Sequence, residues 1–167
     1  DDLSKYIDTG KLILATGNAL DLFSDLKILN FKSVKEDFRI IGEQVYTTDL
    51  IKNYVIGFQN RNSIIKEYSE TPLFKVTTGT GFAPNNKNEG IRKNNFYGTY
   101  LLGPLLIRNP YLLEYFTKNL LKSKNLKYKK VPQDTAYQAY EAYLKNFVNL
   151  YHIKFDNLFF LYFCIFS

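Results

Sequence analysis

The stretch that most constrains this chain is Leu12-Ile13-Leu14-Ala15, which runs into Thr16-Gly17-Asn18 and then Ala19-Leu20-Asp21-Leu22-Phe23. A short run that is apolar at every position is the mark of a strand covered on both faces, as in a parallel sheet. Such a strand expects neighbours on both edges and helices on both sides. The glycine turn breaks the run, and the residues after it return to helical spacing. Strand, tight turn and helix lift the turn residues to the carboxyl edge of an α/β sheet, where open sheets bind their ligands. Thr16, Gly17 and Asn18 are therefore candidate binding residues. Two readings stand for them: an anion site on free N–H groups at a helix start, or a plain tight turn.

The rest of the chain fits an α/β domain with flanking helices. Leu3, Tyr6 and Ile7 share a face in the segment 2–8, a helix end that Gly10 would close. Strands are expected at Lys27–Phe31, Phe38–Thr47, Tyr54–Phe58, Phe74–Thr77 and Phe96–Leu102, with Gly42, Gly57, Gly79, Gly81 and Gly90 in the turns. Phe82–Glu89 is polar, contains Pro84 and reads as an exposed loop. Asn109-Pro110 supplies an N-cap and a first-turn proline, and Leu112, Leu113, Phe116, Leu120 and Leu121 follow at helical spacing. Lys122–Lys130 is a basic connector, which reads as a solvated surface. A second helix is expected over 134–150, its Tyr137, Tyr140, Tyr143 or Leu144, Phe147 and Tyr151 stripe facing a core. Residues 1–153 read as one domain, and 154–167 as a tail whose structure stays open.

Composition narrows the function classes. Among 22 basic residues only four are Arg, set against 16 acidic residues for a net charge of +6. Arginine is the residue suited to bidentate phosphate and base contacts, so this surface reads as solubility and not as nucleic-acid recognition. The single cysteine, Cys164, and single histidine, His152, exclude a disulfide scaffold and a zinc finger, and exclude a Cys-His pair unless these two meet in space. No metal and no cofactor is expected. Gly79-Thr80-Gly81 lacks the spacing and the Lys-Ser/Thr of a phosphate loop. The longest apolar run, Leu158–Phe166, is shorter than the roughly 20 residues a membrane helix needs. The expected compartment is the cytoplasm, in keeping with the lone thiol. Met is absent and the chain opens on Asp1-Asp2, so it reads as a piece of a longer protein.

Two segments carry a family resemblance: Lys11–Phe23 (KLILATGNALDLF) and Gly98–Pro104 (GTYLLGP), the latter followed by Leu105-Leu106 and a helix near Pro110. Together they resemble class I glutamine amidotransferase domains of the cobyric acid synthase type, a group that includes the subunit acting on the peptidoglycan precursor lipid II. In that family the first segment leads into a nucleophile elbow, Cys-Gly-Gly-Tyr-Gln. The second reads Gly-Thr-Tyr-Leu-His-Gly-Pro, and its His is the general base. Leu29-Asn30-Phe31, Arg39 with Gly42, Val55–Asn60 (VIGFQN), Gly79–Gly81 and Glu89-Gly90 continue the resemblance in order, so that it runs from about residue 11 to about residue 121.

The resemblance implies a flavodoxin-like sheet, of which this chain holds the C-terminal portion. Opening βα units and their oxyanion contacts are missing, so residues 1–167 alone are expected to be aggregation-prone or oligomeric. It also implies a candidate cleft of Ala15, Thr16, Gly17, Asn18, Arg39, Gln59, Asn60 and Leu102. Ala15 takes the nucleophile position and Leu102 the base position; shifting the alignment by one brings Thr16 to the elbow. Arg39 either holds a substrate carboxylate or is a surface arginine, and Gln59 and Asn60 either line the cleft or serve a turn. A thiolate and a base are what the chemistry needs, so no catalytic residue is expected. The implied role is a partner or scaffold of an ATP-dependent, Mur-ligase-like or cobyric-acid-type synthetase, with glutamine a possible ligand. The alternative is an active amidotransferase that delivers ammonia to cobyrinate or a peptidoglycan precursor, with catalytic groups supplied from outside this chain.

Overall fold

Helix α1 (Asp2–Asp8) ends at Gly10, whose φ of +72° is the left-handed stop the sequence suggests. It leads into β1 (Ile13–Thr16), and the turn at Gly17 opens α2 (Ala19–Asp25). The computed structural model that shows this describes residues 2–130, 132 and 135–147. The chain forms two compact units, residues 1–129 and 130–167. In the second, residues 135–147 are helical, and the rings of Tyr143 and Phe147 stack with centroids 5.9 Å apart. Tyr151, His152, Cys164 and the tail from 154 lie outside the described residues.

The first unit is built on six strands. After α2 come β2 (Phe31–Thr47), β3 (Val55–Tyr68), β4 (Thr71–Thr78), β5 (Asn88–Lys93) and β6 (Phe96–Thr99), then α3 (Leu105–Arg108) and α4 (Pro110–Ser123). They form one sheet in the order β1-β6-β5-β4-β2-β3. Only the β1–β6 pair is parallel; every other pair is antiparallel. The expected mixture of sheet and flanking helices is present. Among the described residues the outer edge of β1 carries no strand.

Both faces of β1 are packed, as its composition demands. Ile13 and Ala15 join Ile7, Leu20, Phe23, Phe96 and Tyr100 on the face covered by α1 and α2. Leu12 and Leu14 join Tyr97, Leu101, Leu105, Leu112 and Phe116 on the face covered by α3 and α4. The sheet also curls. β3 stands at the far end of the strand order, yet the N–H of Leu102, just past β6, donates to the carbonyl of Phe58 in β3 at 2.9 Å. Register shifts between Lys32 and Ser33 and between Lys35 and Ile40 bend the long β2, as bulges do.

Four local expectations are corrected. Lys27–Phe31 is not a strand: Lys27 sits at φ +52° in the turn after α2, and β2 starts only at Phe31. Phe82 and Glu89, placed in an exposed loop, are both fully buried, and β5 already begins at Asn88. β6 stops at Thr99, so the residues up to Leu102 form a connecting segment. Asn109 precedes α4 but makes no side-chain cap bond. Its amide instead accepts the Ile56 N–H at 2.8 Å and donates to the carbonyls of Ile56 at 2.7 Å and Leu105 at 2.8 Å. This buried amide ties α3 and α4 to the sheet. Asn109→Ala leaves three buried backbone groups unpartnered and is expected to cost about 3 kcal/mol, measured by urea unfolding.

Candidate functional site

The strand-to-helix turn places Gly17 in the left-handed region, at φ +60°, which glycine adopts without steric cost. Its N–H donates to the Leu101 carbonyl at 3.0 Å, and the Leu102 N–H continues to Phe58. The segment Leu101-Leu102 is thus held between the turn and β3 by main-chain bonds. A Cβ built on Gly17 would lie 2.8 Å from Cδ2 of Leu102. The turn and the GTYLLGP segment, 80 and more residues apart in sequence, therefore meet at this point, with Gly17 and Leu102 face to face.

The other expected site residues divide. Thr16 ends β1, half-buried and paired with Thr99. Asn18 is exposed at the N-cap of α2 and makes no capping side-chain bond. Arg39 is exposed, and its Nε donates to Oδ1 of Asn60 at 3.2 Å, with Nη2 on the same oxygen. Asn60 faces outward from β3, opposite Ile41. Ala15 and Gln59 are buried. Ala15 packs in the core on the α2 side of the sheet and pairs with Gly98. Gln59 alternates to the inner face of β3, where it is fully buried and bonded to Arg61 and Tyr46.

That inner face holds a polar network missing from the sequence reading. Arg61 is 1% exposed; its guanidinium lies 4.1 Å from the Tyr100 ring centroid and donates to the carbonyls of Ser63, Gly81 and Phe82. The Tyr100 hydroxyl donates to Asp21 of α2 at 2.6 Å, and Asp21 also accepts from Ser33 and Ser63. Glu89 accepts the Tyr100 N–H and the Thr99 hydroxyl, each at 2.8 Å. The one sequence signal for this network was Arg61 itself, one of four arginines, set in a polar run with no acidic neighbour. A separate cavity of about 420 Å³ opens beside Thr47, Asp49, Thr71 and Lys75, and none of the expected site residues lines it.

Chemically, Ala15 offers no nucleophile and Leu102 no proton acceptor. Among the described residues no cluster of His, Cys, Asp or Glu is suited to a metal, and no helix is long and apolar enough to cross a membrane. The left-handed turn makes a direct prediction. Gly17→Ala forces a side chain into left-handed backbone and against Leu102, at an expected cost of about 1–3 kcal/mol. In a Leu102→Ala background the steric part disappears. A double-mutant cycle should then give a coupling of at least about 0.5 kcal/mol.

Glu89 makes a second prediction. Burial raises its carboxyl from 4.5 to about 7, against the opposing pull of its hydrogen bonds and of Arg61. Because the folded value is raised, the stability this group contributes is complete below about pH 4.5 and is lost as pH rises through about 7. The full amplitude is up to about 3 kcal/mol. Thermal denaturation of Glu89→Gln, compared with the parent chain between pH 5 and 8, should show the gap move in favour of the variant as pH rises.

No family model matches the chain. The chain is similar to the GatD subunit of the glutamine-hydrolysing lipid II isoglutaminyl synthase of Staphylococcus aureus (strain N315), 30% identical over 132 residues, which are 77% of this chain and 52% of that subunit. The corresponding GatD subunit of Streptococcus pneumoniae (strain ATCC BAA-255 / R6) is 32% identical over 108 residues, 64% of this chain and 39% of that subunit. Among solved structures, a glutamine amidotransferase from Thermotoga maritima aligns with TM-score 0.47 and 12% identity over 84% of this chain and 58% of that one. The chain is a class I glutamine amidotransferase-like domain. It is related to the GatD subunit of lipid II isoglutaminyl synthase, and it spans about half the length of the curated relatives it matches.

Proposed function

We propose that this chain is the glutamine amidotransferase-like component of an amide-forming synthetase and does not itself hydrolyse glutamine. The observation that carries this reading is that Ala15 stands at the nucleophile position of the resemblance and Leu102, packed against the turn after Ala15, at the base position. Hydrolysis of the glutamine amide needs a thiolate to attack the carbonyl and a base to activate it and then protonate the departing ammonia. Neither Ala15 nor Leu102 can do either. The chain's one thiol and one imidazole, Cys164 and His152, lie far along the sequence from the turn. What supports a retained partner role is that the fold contacts around the site are main-chain bonds, which survive the loss of catalytic side chains.

The partner we infer is an ATP-dependent synthetase of Mur-ligase-like or cobyric-acid type. Similarity to subunits named for lipid II favours a peptidoglycan precursor over cobyrinate as the acceptor. The exposed Arg39 guanidinium, steadied by Asn60, is the group best suited to a glutamine carboxylate. A second reading, an active amidotransferase completed by groups from outside this chain, is favoured by the similarity to subunits of a synthase named as glutamine-hydrolysing.

Ammonia release from glutamine separates the readings. The purified chain, with and without its synthetase, should release no ammonia above the uncatalysed background. Release that is lost in Cys164→Ala would mean that this chain's own thiol is catalytic and would sink the proposal. Release that appears only with the synthetase and persists in Cys164→Ala would establish the second reading.

A further inference from the structure

The positive charge of this chain is gathered in one place. Lys118, Lys122, Lys124, Lys127, Lys129 and Lys130 lie in a stretch, residues 115–133, that holds no arginine and no acidic residue. These six equal the whole net charge of +6, so the rest of the chain sums to neutrality. All six are exposed, and all but Lys130 lie in the first unit.

The fold turns this stretch back on itself. α4 ends in a Schellman turn, with Asn125 at φ +55°. The Asn125 N–H donates to the Lys122 carbonyl at 3.0 Å, and the Leu126 N–H to the Leu121 carbonyl at 2.9 Å. The chain then returns along the helix, so that Nζ of Lys118 lies 5.1 Å from the ring centroid of Tyr128. Lys118 and Lys122, one turn apart on the same helix face, are thereby brought beside the segment in which Lys127 and Lys129 flank Tyr128.

Helix capping does not account for this patch. A helix C-terminus favours cations within its last turn, which covers Lys122 and Lys124 but not Lys127 or Lys129. Glu114 holds Lys118 at 2.7 Å, and among the described residues it is the one acid ion-paired to any of these lysines. Like charges gathered so closely repel one another, a cost that an anionic partner relieves. Two features choose that partner. Lysine is a point charge without the planar fork with which arginine reads phosphates and bases, so lysines alone suit a diffuse anionic surface. Leu126 stands 59% exposed at the turn, with Tyr128 half-buried next along the chain. Leucine and tyrosine set among lysines match the boundary between anionic head groups and acyl chains.

We propose that this patch docks the chain on an anionic lipid surface, its lysines on the head groups and Leu126 among the outermost acyl carbons. The contact is peripheral, since among the described residues no helix is long and apolar enough to cross a membrane. It goes beyond the proposed function and does not rest on it.

Sedimentation of the full chain with vesicles tests the patch, using phosphatidylcholine alone and phosphatidylcholine with about one third phosphatidylglycerol. The chain should pellet with the anionic vesicles and not with the neutral ones, and raising salt from about 0.05 M to about 0.5 M should release it. Changing Lys122, Lys124 and Lys127 together to Gln should weaken binding on the order of a hundredfold, about fivefold per lysine. Changing Lys11, Lys52 and Lys75, which are exposed elsewhere, should weaken it less than about threefold. Leu126→Ser should weaken it severalfold at unchanged charge. Far-UV circular dichroism checks that each variant keeps the fold. Equal sedimentation with neutral vesicles, full binding by the Lys122, Lys124 and Lys127 variant, or an equal loss in both triple variants would each overturn the proposal, the last by making net charge the cause. Capture of an oligonucleotide without capture of anionic vesicles would overturn it in favour of a nucleic-acid surface.

Discussion

Inside the curled sheet the guanidinium of Arg61 does what a hydrophobic core does elsewhere. Its N–H groups reach Gln59 and the carbonyls of Ser63, Gly81 and Phe82, and its flat face lies on Tyr100. Taking a cation out of water costs several kcal/mol unless its donors are met. Here they are met by main-chain carbonyls that would otherwise need partners of their own. The segment after β4 is fixed this way, and fixed again by Gln44, which accepts the Thr80 N–H, and Tyr46, which donates to the Thr80 carbonyl. Glu89 sits within the field of the same cation. The anchored 79–82 segment, the seated Tyr100 and the buried carboxylate all depend on this one charge, so its removal would unpair more groups than any apolar truncation.

How much of this was legible in the sequence depends on where each segment keeps its polar side. β1 announced itself because both of its faces are apolar, and α4 because Leu112 and Phe116 repeat at helical spacing. β2 and β3 hid most of their length because their hydropathy is inverted. Gln44, Gln59, Arg61 and Ser63 point inward, while Ile41 and Phe38 are exposed. Alternation rules assume that the buried face is the apolar one, and here part of the buried face is a hydrogen-bond network. β5 reads NEGIRK and looks like surface, yet Glu89, Gly90 and Ile91 are buried. The resemblance pointed to the turn at Gly17 and to the segment with Leu102, which the fold brings together.

Where Gly17 and Leu102 meet, the closing bonds run from N–H to carbonyl, Gly17 to Leu101 and Leu102 to Phe58, and no side chain takes part. The contact is close enough that Gly17 cannot gain a side chain while Leu102 keeps its own, and the left-handed φ at Gly17 favours glycine there whatever its neighbour. Backbone conformation and packing thus constrain the same turn independently.

The bulge in β2 has a consequence of its own. Between Lys35, opposite Ser63, and Ile40, opposite Arg61, four residues of β2 face a single residue of β3. Such a slack stretch absorbs insertions and deletions, because the pairing on either side is set independently. The N-terminal half of β2 can keep its register on β3 while the C-terminal half keeps its own toward Tyr46. Arg39, carried on this slack and bonded to Asn60 of β3, can shift its reach without turning a buried face outward. Sequence change in this stretch is expected to cost the fold little.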